Sequence, residues 1–132
     1  MKYTYTALFI PQKDGIGYIC TVPDLPGCLS SGRNLDEAID QITDAAGGWL
    51  CVAEDESLDI PDPTPQSRIS HDPPAVMSLI RIDTVEYRAK TDTRAVRKNV
   101  SLPAWMASLA DKKNINCSQV LQEGLLSRFN AG

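Results

Sequence analysis

Arg97, Asn99 and Ser101 alternate with apolar residues in the stretch VRKNVSLPAW at residues 96 to 105, a pattern suited to reading base edges. Arg can donate two hydrogen bonds to guanine, Asn can bond adenine bidentately, and Ser makes a less selective contact. In an extended chain Val96, Val100 and Leu102 share one side, with Lys98 as the misfit, while Arg97, Asn99 and Ser101 share the other. The plainer alternative is a solvated strand face. Other candidate chemistry is thin. Asp24 and Cys28 could make an acid and nucleophile pair, but no histidine lies near them, and PDLPGC reads more simply as a rigid turn. The only histidine, His71, sits in a proline-rich stretch and reads as incidental. Cys20, Cys28, Cys51 and Cys117 form no C-x-x-C pair and lie in or beside apolar segments, as small buried hydrophobes do. No catalytic residue, metal site or cofactor is expected.

Charge divides the chain. Residues 1 to 92 hold 7 Lys+Arg against 15 Asp+Glu, a balance of −8, and residues 93 to 132 hold 6 against 2, a balance of +4. Halves of opposite sign suggest separate partners, with nucleic acid a candidate for the basic end. Asp36, Asp40 and Asp44 recur at i, i+4 spacing, and Glu54 and Asp55 open an acidic stretch; these are either contacts for a basic partner or a solvated face. No run of about 18 apolar residues exists, which excludes a transmembrane helix. MKYTYTALFIPQKDG lacks the features of a signal peptide, so a cytoplasmic protein with no membrane role is expected.

The elements that must position these residues follow from local pattern. KYTYTALFI at 2 to 10 and YICTV at 18 to 22 read as strands, CLSSG at 28 to 32 as a third, and AVMSLIRID at 75 to 83 as a fourth. Pro26 and Gly27 fit a type II turn. Asn34 and Glu37 have capping-box spacing ahead of a helix continuing through Gly47 and Gly48 to Trp49 and Leu50. Residues 57 to 74 form a proline-rich surface connector and 84 to 93 a linker.

From residue 94 the pattern is strand, Pro103, a helix over AWMASLADKKN, and a second helix capped by Asn116. A strand and two helices in about 36 residues cannot close a core alone, which implies dimerisation. Two antiparallel copies of the strand would make a ribbon narrow enough for the major groove. Lys98, Lys112 and Lys113, with the helix start at Asn116, Cys117 and Ser118, would meet phosphates. This arrangement resembles the ribbon-helix-helix repressors, with Gly124 a departure. The plainer reading is a dimerisation tail only.

The Y-x-A-x-F type strand, G-Y-x-x-x-x-P-D-L-P-G-C, N-L-D-E-A and R-K-N-V-S-L-P-A-W together resemble the HicB-like antitoxins of type II toxin-antitoxin pairs. The resemblance implies an α+β chain. Residues 1–83 would form a β-β-β-α-β, partial ribonuclease-H-like domain that blocks a HicA-type toxin, a small basic messenger-RNA ribonuclease. Residues 94–132 would form a ribbon-helix-helix homodimer, with a tetramer as the alternative, that represses its own operon. Asp36, Asp40, Asp44, Glu54 and Asp55 are then guesses at the toxin contact. Competing readings are a stand-alone DNA-binding regulator, a scaffold or small-ligand module, and a metal-dependent nuclease; the last is poor because the four expected strands carry no acid over 2–10, 18–22, 28–32 and 75–82.

Overall fold

The computed structural model describes residues 1–13 and 15–131, which fall into two compact units, Lys2–Thr91 and Asp92 onward. The first holds a four-stranded sheet, wholly antiparallel, in the order β3-β2-β1-β4. Its strands are β1 (Lys2–Pro11), β2 (Tyr18–Thr21), β3 (Leu29–Gly32) and β4 (Val76–Asp83). β1 is central because its alternation supplies Tyr5, Ala7 and Phe9 to one face, where Ile80 and Ile82 of β4 and Cys20 of β2 join them. Helix α1 (Leu35–Asp55) closes that core with Ala38, Ile42, Ala46 and Leu50, spaced by four and fully buried.

Local signals hold as expected at both ends of β3. The Cys28 N–H donates to the Leu25 carbonyl at 3.0 Å, and Gly27 at φ +79° completes the type II turn behind Pro26. The Asn34 side chain accepts from the Glu37 N–H at 2.8 Å, starting α1. The reciprocal half of the capping box is replaced, since the Glu37 carboxylate pairs with Arg33 at 3.1 Å. The proline-rich connector runs over the surface but is pinned. Tyr5 Oη donates to the Pro61 carbonyl at 2.6 Å, and Asp24 accepts from both the Thr64 N–H and hydroxyl, at 2.9 and 2.6 Å. Ile60 packs against the core.

Residues 84–93, expected as a linker, are mostly helix α2 (Thr84–Thr91), and the first unit ends at Thr91 rather than 83. Asp83 starts it by accepting from the Val85 and Glu86 N–H groups at 3.0 and 3.3 Å. Tyr87 then lies against Gly47, where a Cβ would stand 2.6 Å from the ring. Gly47→Ala is therefore expected to destabilise by about 1–2 kcal/mol, the overpacking cost exceeding the helix-propensity gain. Tyr87→Ala in the same background should reverse the sign of the glycine substitution, as a double-mutant cycle by urea unfolding would measure.

Cys20, Cys28 and Cys51 are buried, as expected, whereas Cys117 is exposed. Burial pushes the Cys28 thiol up to about 11 and raises those of Cys20 and Cys51, which keeps all three protonated and unreactive near neutrality.

The second unit contains α3 (Ala104–Lys112) and α4 (Cys117–Ala131), joined by a tight reversal. Asn114 takes φ +54°, and the Ile115 N–H reaches back to the Ala110 carbonyl at 3.0 Å, closing α3. Pro103 precedes α3, its fixed φ suited to the helix entry. Residues 92–103 carry no strand ladder. A strand exists only through its hydrogen-bonded neighbour, and no described segment of this chain supplies one to residues 96–102.

Candidate nucleic-acid and partner interfaces

No described residue from 92 to 130 is buried, although this unit carries Val100, Leu102, Trp105, Met106, Leu109, Ile115, Val120, Leu121, Leu125 and Phe129. Two helices in that state lack the apolar burial needed to offset their ordering entropy. Their apolar residues are not scattered. Val100, Leu102, Met106, Ala110, Ile115, Val120 and Leu121 line one groove of about 380 Å³. Lys98 borders it as well, so the even-numbered residues Lys98, Val100 and Leu102 face the apolar seam, whereas Val96 does not line it and is exposed. Arg97, Asn99 and Ser101 do not line the groove and are solvent-exposed. This is the alternation that residue types alone suggest.

Around that seam the basic residues are free of internal partners in part only. Asp92 holds Arg94 through bonds of 2.9 Å, and the doubly hydrogen-bonded Arg94 in turn holds the exposed Asp92 carboxyl near 2. Arg97, Lys98, Lys112 and Lys113 take part in no ion pair within 4.0 Å among those described. Lys112 occupies the last turn of α3, where a cation complements the helix dipole, and this accounts for it without a ligand. At the start of α4 the Asn116 side chain accepts from the Gln119 N–H at 3.1 Å. The N–H groups of Cys117 and Ser118 belong to the first turn, which has no intrahelical acceptor.

The acidic candidates separate. Asp36 sits in the first turn of α1, a favourable place for an anion. Asp40 and Asp44 share a polar cleft with Arg81 and Lys90, and Lys90 reaches Asp44 at 3.6 Å. Asp55 pairs with Arg88 at 2.9 Å. Glu54 departs most from the sequence expectation, because its side chain is only 19% exposed. It accepts from the hydroxyls of Tyr3 at 2.8 Å and Thr84 at 3.0 Å and from Arg88 at 3.1 Å, clamping α2 to α1 and β1. Burial works against its charge, but the bonds from Tyr3, Arg88 and Thr84 outweigh it and hold the carboxyl below the ordinary range. Glu54 is thus a structural anchor. Tyr3, Thr84 and Arg88 went unseen in the sequence because their partner lies 30 or more positions away. Among the described residues no three His, Cys, Asp or Glu side chains gather as a metal cluster, and no helix is long and apolar enough to cross a membrane.

A sheet-and-helix domain bearing net negative charge, followed by a helical pair whose apolar seam is open, defines an α+β protein of two units. The chain matches the model of the HicB-like antitoxin of bacterial toxin-antitoxin systems over residues 5–129. It belongs to that family. Among solved structures it is similar to a chain of a toxin-antitoxin complex from Streptococcus pneumoniae, at 21% identity and TM-score 0.61, over 97% of this chain and 99% of that one. The Burkholderia pseudomallei antitoxin HicB gives 24% identity and TM-score 0.52, over 96% and 97% of the two chains. An uncharacterized 14.9 kDa protein from the rep-hol intergenic region of Haemophilus phage HP1 is 23% identical over 104 residues, 76% of this chain and 75% of its own length.

Proposed function

We propose that this antitoxin is a non-enzymatic cytoplasmic protein that binds and occludes a small basic HicA-type ribonuclease toxin and represses its own operon. In this reading residues 2–91 form a partial ribonuclease-H-like, toxin-binding domain. Residues 94–132 form a ribbon-helix-helix unit in which two copies pair through residues 96–102. Arg97, Asn99 and Ser101 then face base edges from both strands of the ribbon. Lys98, Lys112, Lys113 and the α4 start at Asn116, Cys117 and Ser118 approach phosphates. The observation that carries it is the open seam: an apolar groove on one side of the extended segment, with the polar triplet off it. Charge supports the division of labour, since Lys2–Thr91 holds 7 Lys+Arg against 14 Asp+Glu and the remainder is basic. Electrostatic complementarity of that kind raises association rate and specificity more than raw affinity.

Titration of the full chain against its own promoter duplex at several salt concentrations tests the repressor half. Affinity should fall linearly on a log–log plot as phosphate contacts are screened. Arg97→Ala should cost about 1–3 kcal/mol and relax preference at one base position, whereas Lys112→Ala should weaken all duplexes alike. If Arg97→Ala, Asn99→Ala and Ser101→Ala all bind as the parent does, the ribbon assignment is wrong. A stand-alone regulator would keep this DNA behaviour but lack a basic reading frame beside its gene.

A further inference from the structure

The last turn of α1 is built against its own dipole. Glu54, Asp55 and the C-cap Glu56 sit at the negative end of the helix, and that turn contains no basic residue. Cations, not anions, are favoured there. Arg88 from α2 answers Glu54 and Asp55, but no ion pair answers Glu56 or the nearby Asp59 among the described residues. The whole of α1, LDEAIDQITDAAGGWLCVAED, contains no Lys or Arg.

Beside these carboxylates lies an apolar groove of about 430 Å³ between α1 and the start of β3, lined by Cys28, Leu29, Ala45, Trp49, Val52 and Leu58 among others. Trp49 is held in place because its Nε1–H donates to the Pro26 carbonyl at 2.9 Å, so its ring is pre-oriented and its polar group already satisfied. Leu58 is folded back over the helix end: Ser57 takes φ +53° and the Leu58 N–H bonds the Ala53 carbonyl at 2.9 Å. The Glu56 N–H bonds the Val52 carbonyl at 2.9 Å, which fixes the backbone of Glu56 one turn beyond Val52. Yet Leu29, Val52 and Leu58 stay 63%, 51% and 54% exposed. A rigid aromatic beside aliphatic side chains, with charge at the rim, is the anatomy of an interface hot spot.

We infer that this groove is the docking site for the toxin: it takes an apolar side chain of the basic partner, whose flanking lysines or arginines meet Glu56, Asp59 and Asp55. This rests on the antitoxin reading and names the surface through which it acts. Charge selects the occupant. A second copy would bring another domain of 14 acidic against 7 basic residues against the same carboxylates, whereas a cationic partner relieves the unfavourable helix end.

The test is calorimetric titration of the full-length chain with the basic protein encoded beside it, carrying an inactivating substitution. Val52→Asp and Leu58→Asp should each weaken binding at least 30-fold. Glu56→Lys should weaken it at least 10-fold and flatten the salt dependence, while the free chain melts at the same temperature or higher because the helix end is relieved. Asp36→Lys, at the opposite end of α1, should change affinity less than threefold. Should Val52→Asp fail to fold, Leu58→Asp and Glu56→Lys decide the matter, since both positions are exposed loop or cap residues. If the parent binds and all groove variants bind equally, the groove assignment is overturned and the antitoxin reading stands. If the parent does not bind, the antitoxin reading itself fails and takes this proposal with it. A change in the mass of the free chain in the groove variants, with toxin affinity intact, would assign the groove to self-association and overturn the proposal.

Discussion

Aspartate in place of Leu121 should leave residues 2–91 folded while reducing operator binding by more than about 100-fold, which corresponds to about 3 kcal/mol. Leu121 lines the apolar groove of the second unit together with Val100, Leu102, Met106, Ala110, Ile115 and Val120. In the proposed dimer this groove is covered by the partner's equivalent, and an unpaired carboxylate introduced there by each copy would lose its water. The dimer, and with it the two-stranded ribbon, would be lost together. Light scattering after gel filtration should report a monomer, and gel shift at fixed salt should report no specific complex. Arg97→Ala gives the contrasting phenotype: an intact dimer with altered base preference. A Leu121→Asp chain that still shifted the operator as a dimer would show that the seam is not the dimer interface.

The parts of this molecule legible in the sequence are those in which a side chain bonds its own neighbourhood. Pro26-Gly27, Asn34 and Asn116 each set a turn or cap within three residues, and each is found doing so. Composition rich in Tyr, Thr, Phe and Ile likewise marked β1, and an apolar run marked β4, as strands, and both pair in the sheet, with β1 buried on both faces from Tyr5 to Phe9. Helix α2 escaped notice although Asp83 and Glu86 have cap spacing, because TVEYRAKT buries only Thr84 and so shows little apolar periodicity. What fixes it is distant in the chain: Tyr87 on Gly47 and Arg88 on Glu54 and Asp55.

The same distinction explains the candidate sites. Arg97, Asn99 and Ser101 could be sorted from Val100 and Leu102 by parity alone, and the groove lining keeps that sorting. In the proposed ribbon their strand would pair with a second copy; within one chain the segment carries the alternation without a ladder. Glu54 is drawn into the fold by hydrogen bonds that an acidic run, uniform in sequence, does not reveal. Only the fold brings Tyr3, Thr84 and Arg88 to one of its members, leaving Asp55 and Glu56 at the surface.

Glu54→Ala should destabilise the first unit by about 2–3 kcal/mol, the larger of the stability effects expected from a single polar side chain here. The fully buried Thr84 hydroxyl, the Tyr3 hydroxyl and Arg88 all lose one acceptor, and stranding a buried charge's partners costs up to about 3–5 kcal/mol when nothing is exposed. Arg88 is 41% exposed and can turn to water or to Asp55, which trims the figure. The pH dependence has a definite sign. Because the folded carboxyl is held below its ordinary 4.5, its contribution is complete above that value and fades as pH falls through the lower folded one. On the alkaline side burial, reinforced by the Glu54 bond, raises the Tyr3 phenol from 10.0 to about 12, so its share is complete below 10 and is lost as pH rises toward 12. Glu54→Gln keeps an acceptor but removes the charge. It should cost less than alanine at neutral pH and flatten both limbs of a plot of unfolding free energy against pH. If Glu54→Gln reproduces the parent's acid limb unchanged, the carboxylate network is not what couples α2 to the domain.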